Sequence, residues 1–128
     1  MTDYVLWFDG LGMDDVNRVG GKNASLGEMI SHLNDMGVSV PNGFATTADA
    51  FREFIDQSGL NDRIQSLLSA LDVEDVNALA KAGADIRRWV METPFQPALE
   101  IAIAEAFVTL QSGNDNLAVA VRSSATAE

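Results

Sequence analysis

Apolar residues along this chain change their period twice. Tyr4-Val5-Leu6-Trp7-Phe8 is a short aromatic and β-branched run closed by Asp9-Gly10, the composition of a strand that ends in a loop. From Lys22 the pattern turns helical: Leu26, Met29, Ile30 and Leu33 stand at i, i+3, i+4 and i+7, and Gly37 follows where a helix C-terminus takes glycine. Leu60, Ile64, Leu67, Leu68 and Leu71 keep helical spacing, as do Val76, Leu79, Ala80, Ile86 and Val90, and then Leu99, Ile103, Ala106, Phe107 and Leu110. Leu117-Ala118-Val119-Ala120-Val121 is apolar at every position, the pattern of a central strand covered on both faces. These changes predict a mixed α/β (α+β) fold in which Tyr4 to Phe8 and Leu117 to Val121 belong to sheet and about 47–112 is a helical insertion.

Local signals set the boundaries. Val38-Ser39-Val40-Pro41-Asn42-Gly43-Phe44-Ala45-Thr46 has β-type composition interrupted by a Pro-Asn-Gly turn, and proline restricts any strand before it to an edge or a short piece. Thr46 and Thr47 are N-cap candidates for a helix whose buried face would be Phe51, Phe54 and Ile55, with Gly59 ending it. Thr93-Pro94-Phe95-Gln96-Pro97 breaks the helical pattern, because proline lacks an N–H and drives its predecessor out of the α region.

At 128 residues, with 47% apolar and 21% charged residues, the chain is of the size and composition of one globular domain. The absence of cysteine excludes disulfides, thiolate-bound zinc, iron–sulfur clusters and thiol catalysis. Nineteen acidic against eight basic residues leave a net charge of -11, which disfavours nucleic acid and anionic membranes as partners. No apolar run is long enough to span a bilayer and Met1-Thr2-Asp3 does not open a signal peptide, so the expected location is the cytoplasm. The chain stops just after an apolar run, in the small-residue loop Ser123 to Glu128, so it is expected to be a piece of a longer protein.

Two places carry the composition of an anion site. Gly20-Gly21-Lys22 opens the first helix, where unpaired backbone N–H groups, glycine for close approach and a mobile ammonium together suit a phosphate. A cation at the positive end of a helix costs about 0.3–1 kcal/mol, which a bound anion would reverse. A glycine turn with a solvated lysine is the bland alternative, with Ser25 and Glu28 forming a capping box that starts the helix later. A Walker A loop is excluded, since it needs glycine where Val16 stands and Ser or Thr where Asn23 stands. Arg122-Ser123-Ser124 follows the expected strand at its carboxyl end, where ligands of open α/β sheets gather and a guanidinium can fork onto two phosphate oxygens. Its bland alternative is an arginine paired with a neighbouring acid.

Other candidates reduce to ordinary roles. His32, the one histidine, has no companion to make a metal site, and Asp14-Asp15 and Glu74-Asp75 lie where loops and helix starts ordinarily carry acids. Trp7 and Trp89 read as core or boundary aromatics. With these parts no Ser-His-Asp arrangement is defensible.

Three segments resemble the phosphoenolpyruvate synthase (pyruvate, water dikinase) family, whose wider relatives include pyruvate phosphate dikinase: Val19-Gly20-Gly21-Lys22-Asn23-Ala24-Ser25-Leu26-Gly27-Glu28-Met29, the stretch from Val38 to Phe51, and Val121-Arg122-Ser123-Ser124-Ala125-Thr126-Ala127-Glu128. The resemblance runs from about Leu6 to the last residue. It implies the first subdomain of an ATP-grasp-like nucleotide-binding domain. The second subdomain, a phosphohistidine-carrying domain and a pyruvate-binding barrel would lie outside this chain. It further implies that Lys22, with Gly20, Gly21, Ser123 and Ser124, contacts ATP, and that Arg122 stabilises the transferring phosphoryl group. Magnesium and pyruvate belong to the implied reaction, with the metal ligands outside this chain, so the piece alone is expected to be inactive. A nucleotide-binding fragment of a related dikinase such as pyruvate phosphate dikinase, and a free-standing acidic helical interaction module, are the competing readings.

Overall fold

The computed structural model describes residues 3–127, which fall into two compact units, 3–51 with 97–127, and 52–96. In the first unit, β1 (Val5–Trp7) pairs antiparallel with β2 (Phe44–Thr46), Val5 opposite Thr46 and Trp7 opposite Phe44. The Trp7 and Phe44 rings meet at a centroid distance of 5.4 Å, tilted by 58°, a favourable aromatic geometry across the ladder. A 3-10 turn at Phe8–Gly10 and a second at Met13–Asp15 lead into α1 (Val16–Val19) and α2 (Gly21–Asp35). Asp15 closes the second turn reciprocally: its carboxylate accepts the Gly12 N–H at 3.0 Å and its own N–H donates to the Gly12 carbonyl at 2.9 Å.

The core of this unit is Leu11, Val19, Ala24 and Ala45, with Leu6, Phe8 and Val16 packed on it. Each large aliphatic side chain so buried contributes about 1.5–3 kcal/mol. The core lies beneath the first turns of α2. The buried side of α2 is Ala24, Gly27 and Ile30, whereas the expected face of Leu26, Met29, Ile30 and Leu33 retains only Ile30 as fully buried; Met29 is 46% exposed. The cause is close approach. A Cβ at Gly27 would come within 2.6–2.9 Å of Leu11, so small residues rather than large ones face the neighbouring chain. Nor does α2 start at Ser25. The helix begins four residues earlier, and the Glu28 carboxylate accepts the Met13 N–H at 3.0 Å instead of closing a capping box.

α2 ends as expected. Gly37, at φ +81°, donates to the Asn34 carbonyl at 3.0 Å while Val38 N–H reaches Leu33 at 2.9 Å, the Schellman pair of bonds. Thr47 caps α3 (Ala48–Ile55): its hydroxyl oxygen accepts the Ala50 N–H at 3.1 Å, and its O–H donates to the Asp3 carbonyl. On α3 the buried side is Ala50 and Phe54, and Phe51 faces solvent. The first unit also holds α6 (Pro97–Gln111), with Leu99 and Ala106 buried.

The second unit is helical throughout its regular elements. α4 (Leu60–Ser69) and α5 (Val76–Glu92) follow the end of α3, and Asp75 caps α5 by accepting the Ala78 N–H at 3.1 Å. Arg63 lies 4.3 Å over the Trp89 ring, and Phe54 packs against Phe95 at 5.9 Å. Val76 and Leu79, placed on the apolar face by their spacing, are exposed. A unit this small lacks the interior to cover them.

One expected element is not formed: Leu117–Val121 is not a strand. Among the described residues the sheet has two strands and no ladder reaches 117–121. Val121 is 92% exposed and Val119 47%. A strand is made by its neighbour, whose carbonyls and amides complete the hydrogen bonds, and no described segment lies alongside to supply them.

Candidate functional site

The two anion-type segments, a hundred residues apart, meet. Gly20 joins α1 to α2: its N–H closes α1 on the Val16 carbonyl at 2.8 Å, and its carbonyl accepts the Ala24 N–H at 3.1 Å as the first bond of α2. This double duty requires φ +86° and ψ 163°, a conformation open to glycine. Against this junction lies the 123–125 segment. Gly21 N–H donates to the Ala125 carbonyl at 3.0 Å, Asn23 N–H to the Ser124 hydroxyl oxygen at 3.4 Å, and the Lys22 ammonium to the Ser123 carbonyl at 3.0 Å. The Asn23 side-chain amide donates to the Val19 carbonyl at 2.9 Å, tying α1 to the start of α2.

Donors that the sequence leaves open at the helix start are therefore partly met within the protein. Lys22 Nζ keeps two further N–H groups for a ligand. Arg122 precedes the residue whose carbonyl holds Lys22, and its side chain is exposed. In a chain with nineteen acids, neither Lys22 nor Arg122 forms an ion pair among the described residues, whereas Arg18 is held by Asp15 at 2.8 Å, Lys81 by Asp85 at 2.7 Å and Arg88 by Asp85 at 3.3 Å. Lys22, at the start of α2 and without a carboxylate to neutralise it, makes a local positive spot, and Arg122 is the residue next in sequence to its Ser123 partner.

Sequence spacing alone missed Asn23 and Ala125. Asn23 enters the argument from sequence only by excluding a Walker loop, and Ala125 acts through its backbone carbonyl, which has no sequence signature. The other candidates take the ordinary roles. His32 is exposed and pairs with Glu28 at 3.1 Å. The Asp15 carboxyl is held below its usual range by the Gly12 N–H first and by the Arg18 guanidinium second. An open cavity of about 480 Å³ lies beside the 9–15 loop, and its lining includes Asp9, Asp14, Asp15 and Glu28, four carboxylates that would repel a polyanion. Among the described residues no group of three or more acidic or histidine side chains is placed to hold a metal ion, and no helix is long and apolar enough to cross a membrane.

Known proteins resemble this chain over nearly its whole length. Residues 16–128 match the family described as pyruvate phosphate dikinase, AMP/ATP-binding domain. A phosphoenolpyruvate synthase of Escherichia coli is 66% identical over 124 residues, 97% of this chain, and one of Pseudomonas aeruginosa is 67% identical over 128 residues, the whole chain. That of Aquifex aeolicus is 42% identical over 126 residues, 97% of this chain. The chain spans 15–16% of the length of these curated relatives. Both cationic segments, with Lys22 and Arg122, fall inside the matched residues 16–128, and the chain belongs to the pyruvate phosphate dikinase AMP/ATP-binding domain family.

Proposed function

We propose that this chain is the N-terminal part of a phosphoenolpyruvate synthase and forms one wall of its ATP phosphate site, within an ATP-grasp-like domain. The convergence of Gly20–Asn23 with Ser123–Ala125 supports the reading, because it ties Lys22 to Ser123, the residue that follows Arg122. In the whole enzyme, ATP, pyruvate and water would give phosphoenolpyruvate, AMP and phosphate through a phosphohistidine on another domain; His32, in the last turn of α2, would not be that residue.

Within this wall Lys22 draws in the phosphates, and Arg122 forks onto the phosphoryl group in transfer. Gly20 and Gly21 let the two segments approach, and Ser123 and Ser124 shape the edge of the site. Phosphoryl transfer needs positioning and cationic stabilisation more than covalent chemistry, so one lysine and one arginine on this side are a sufficient contribution. Magnesium would supply charge neutralisation of the phosphates when bound, and the described residues offer no cluster of three or more acidic or histidine side chains to hold it; its ligands are proposed to lie in the rest of the protein. The run Leu117–Val121, exposed over 118–121, supports the same division, since its apolar pattern suits a strand completed by the remainder of the protein. A cytoplasmic setting accords with this chemistry, and so does a lack of nucleic-acid and membrane partners.

In a full-length enzyme carrying this sequence, Arg122→Ala should lower pyruvate-dependent AMP release by about 10²–10³-fold, the size of a lost preorganised charge. Lys22→Ala should raise the KM for ATP. Near-normal turnover of Arg122→Ala would overturn the assignment.

A further inference from the structure

The contacts between residues 20–23 and 123–125 point beyond a shared surface. We infer that Gly20 and Ser124 are positioning residues: they form a clasp that fixes Lys22 and Arg122 at one spacing, without needing to touch the nucleotide. The inference rests on the reading of Lys22 and Arg122 as phosphate-binding.

Gly20 is buried and is the tightest point of the contact. A Cβ there would lie 2.2 Å from the Ser124 hydroxyl oxygen, 2.9 Å from the Ala125 nitrogen and 3.0 Å from the Ser124 carbonyl carbon. Two of these three atoms are backbone and have nowhere to retreat. The positive φ adds strain for any other residue. The Ser124 hydroxyl, in turn, faces the Asn23 N–H at 3.4 Å, while the neighbouring carbonyls take Gly21 and Lys22. Three polar links thus bracket one steric contact. Arg122 lies one residue before the first of these links and belongs to no regular element. Among the described residues, this bracket is what ties it to the α2 start.

A clasp and a direct ligand contact make different predictions. The isotopically labelled chain is titrated with tripolyphosphate, and amide resonances of residues 20–23 and 122–125 are followed separately. In the unmodified chain both segments should report one common affinity. In Gly20→Ala the segments should separate, giving two different affinities, each several-fold weaker. Ser124→Val breaks the clasp from the other side and leaves the Gly20 backbone intact, so it provides the test should Gly20→Ala not fold. Amide resonances of the β1 and β2 residues report folding. If Ser124 merely contacted the ligand, its loss would weaken both segments together and leave one common value. A folded variant that retains one common affinity overturns the inference. Should the unmodified chain not respond to tripolyphosphate, the phosphate reading fails, and the clasp is judged by amide exchange alone. Lost protection at Gly21 and Asn23 in Ser124→Val upholds it, and unchanged protection overturns it.

Discussion

Alanine placed at Gly27 and at Gly83 should move stability in opposite directions. Both glycines sit inside helices, where alanine is favoured intrinsically by about 0.8–1 kcal/mol. At Gly83 the added methyl would meet the Arg87 Nη1 at 3.2 Å, the far end of a flexible side chain that can swing aside. Most of the intrinsic gain is then realised, about 0.5–1 kcal/mol. At Gly27 the methyl would lie 2.6 Å from Leu11 Cβ, 2.7 Å from its carbonyl oxygen and 2.9 Å from its carbonyl carbon. Leu11 is buried and anchored by its N–H on the Phe8 carbonyl at 3.0 Å, so it cannot yield cheaply. Overpacking costs about 1–3 kcal/mol, and contacts this short with backbone belong at the upper end. The steric term wins, leaving a net loss of about 1–2 kcal/mol. Each unit contains one tryptophan, Trp7 in the first and Trp89 in the second. Urea unfolding followed by fluorescence in Trp89→Phe and Trp7→Phe backgrounds therefore reads them separately. Gly27→Ala should lower the Trp7 midpoint by about 1 M, for a slope near the lower end of about 1–3 kcal/mol/M, and Gly83→Ala should raise the Trp89 midpoint. An unchanged or raised Trp7 midpoint in Gly27→Ala would refute the close-approach argument.

Thr47→Val keeps the shape but removes the cap from Ala50 N–H and the donor from the Asp3 carbonyl. With Thr47 only 6% exposed, the loss should be about 2 kcal/mol by thermal unfolding. Asp15 titrates below its ordinary value of 3.8 in the folded chain. Its stabilisation is therefore full above that value and is lost as pH falls through the lower folded value; Asp15→Asn should flatten the acid limb of stability below about pH 4. Mg-ATP added to the chain alone should bind more weakly than micromolar in calorimetry and show no turnover. One open wall leaves Lys22 and Arg122 hydrated, and the net charge of -11 opposes a polyanion; sub-micromolar affinity would place the whole site in this chain.

What was legible in the sequence was mostly local. Gly37, Thr47 and Asp75 announce helix ends because capping chemistry acts within three or four residues, and the helical periods of 60–110 survive in α4, α5 and α6. The faces were less legible. Periodicity marks large apolar residues, whereas α2 packs by small ones, and Gly27 reads as a gap until Leu11 is seen against it. Leu117–Val121 was misread for a related reason: an apolar run says what a segment can pair with, and pairing needs a neighbour. Short β1 and the β-type composition of 38–46 are recognisable, although only Phe44–Thr46, after the turn, forms a strand; the register is not, since it depends on where Trp7 and Phe44 meet. Lys22 and Arg122 were each visible through their glycine and serine settings. The meeting of residues 20–23 with 123–125 was not, because it runs largely through backbone carbonyls that any residue type could offer.

The central claim is that Lys22 faces ATP phosphates from a patch shared with Arg122. This chain contains two lysines, and Lys81, paired with Asp85 at 2.7 Å in the second unit, is an internal reference. Acetylation of both is measured by mass spectrometry in a full-length enzyme carrying this sequence, with and without ATP, and with adenosine as the phosphate-free control. The account predicts that ATP, but not adenosine, slows labelling of Lys22 several-fold while Lys81 is unaffected. Equal labelling of Lys22 in all three conditions would contradict it.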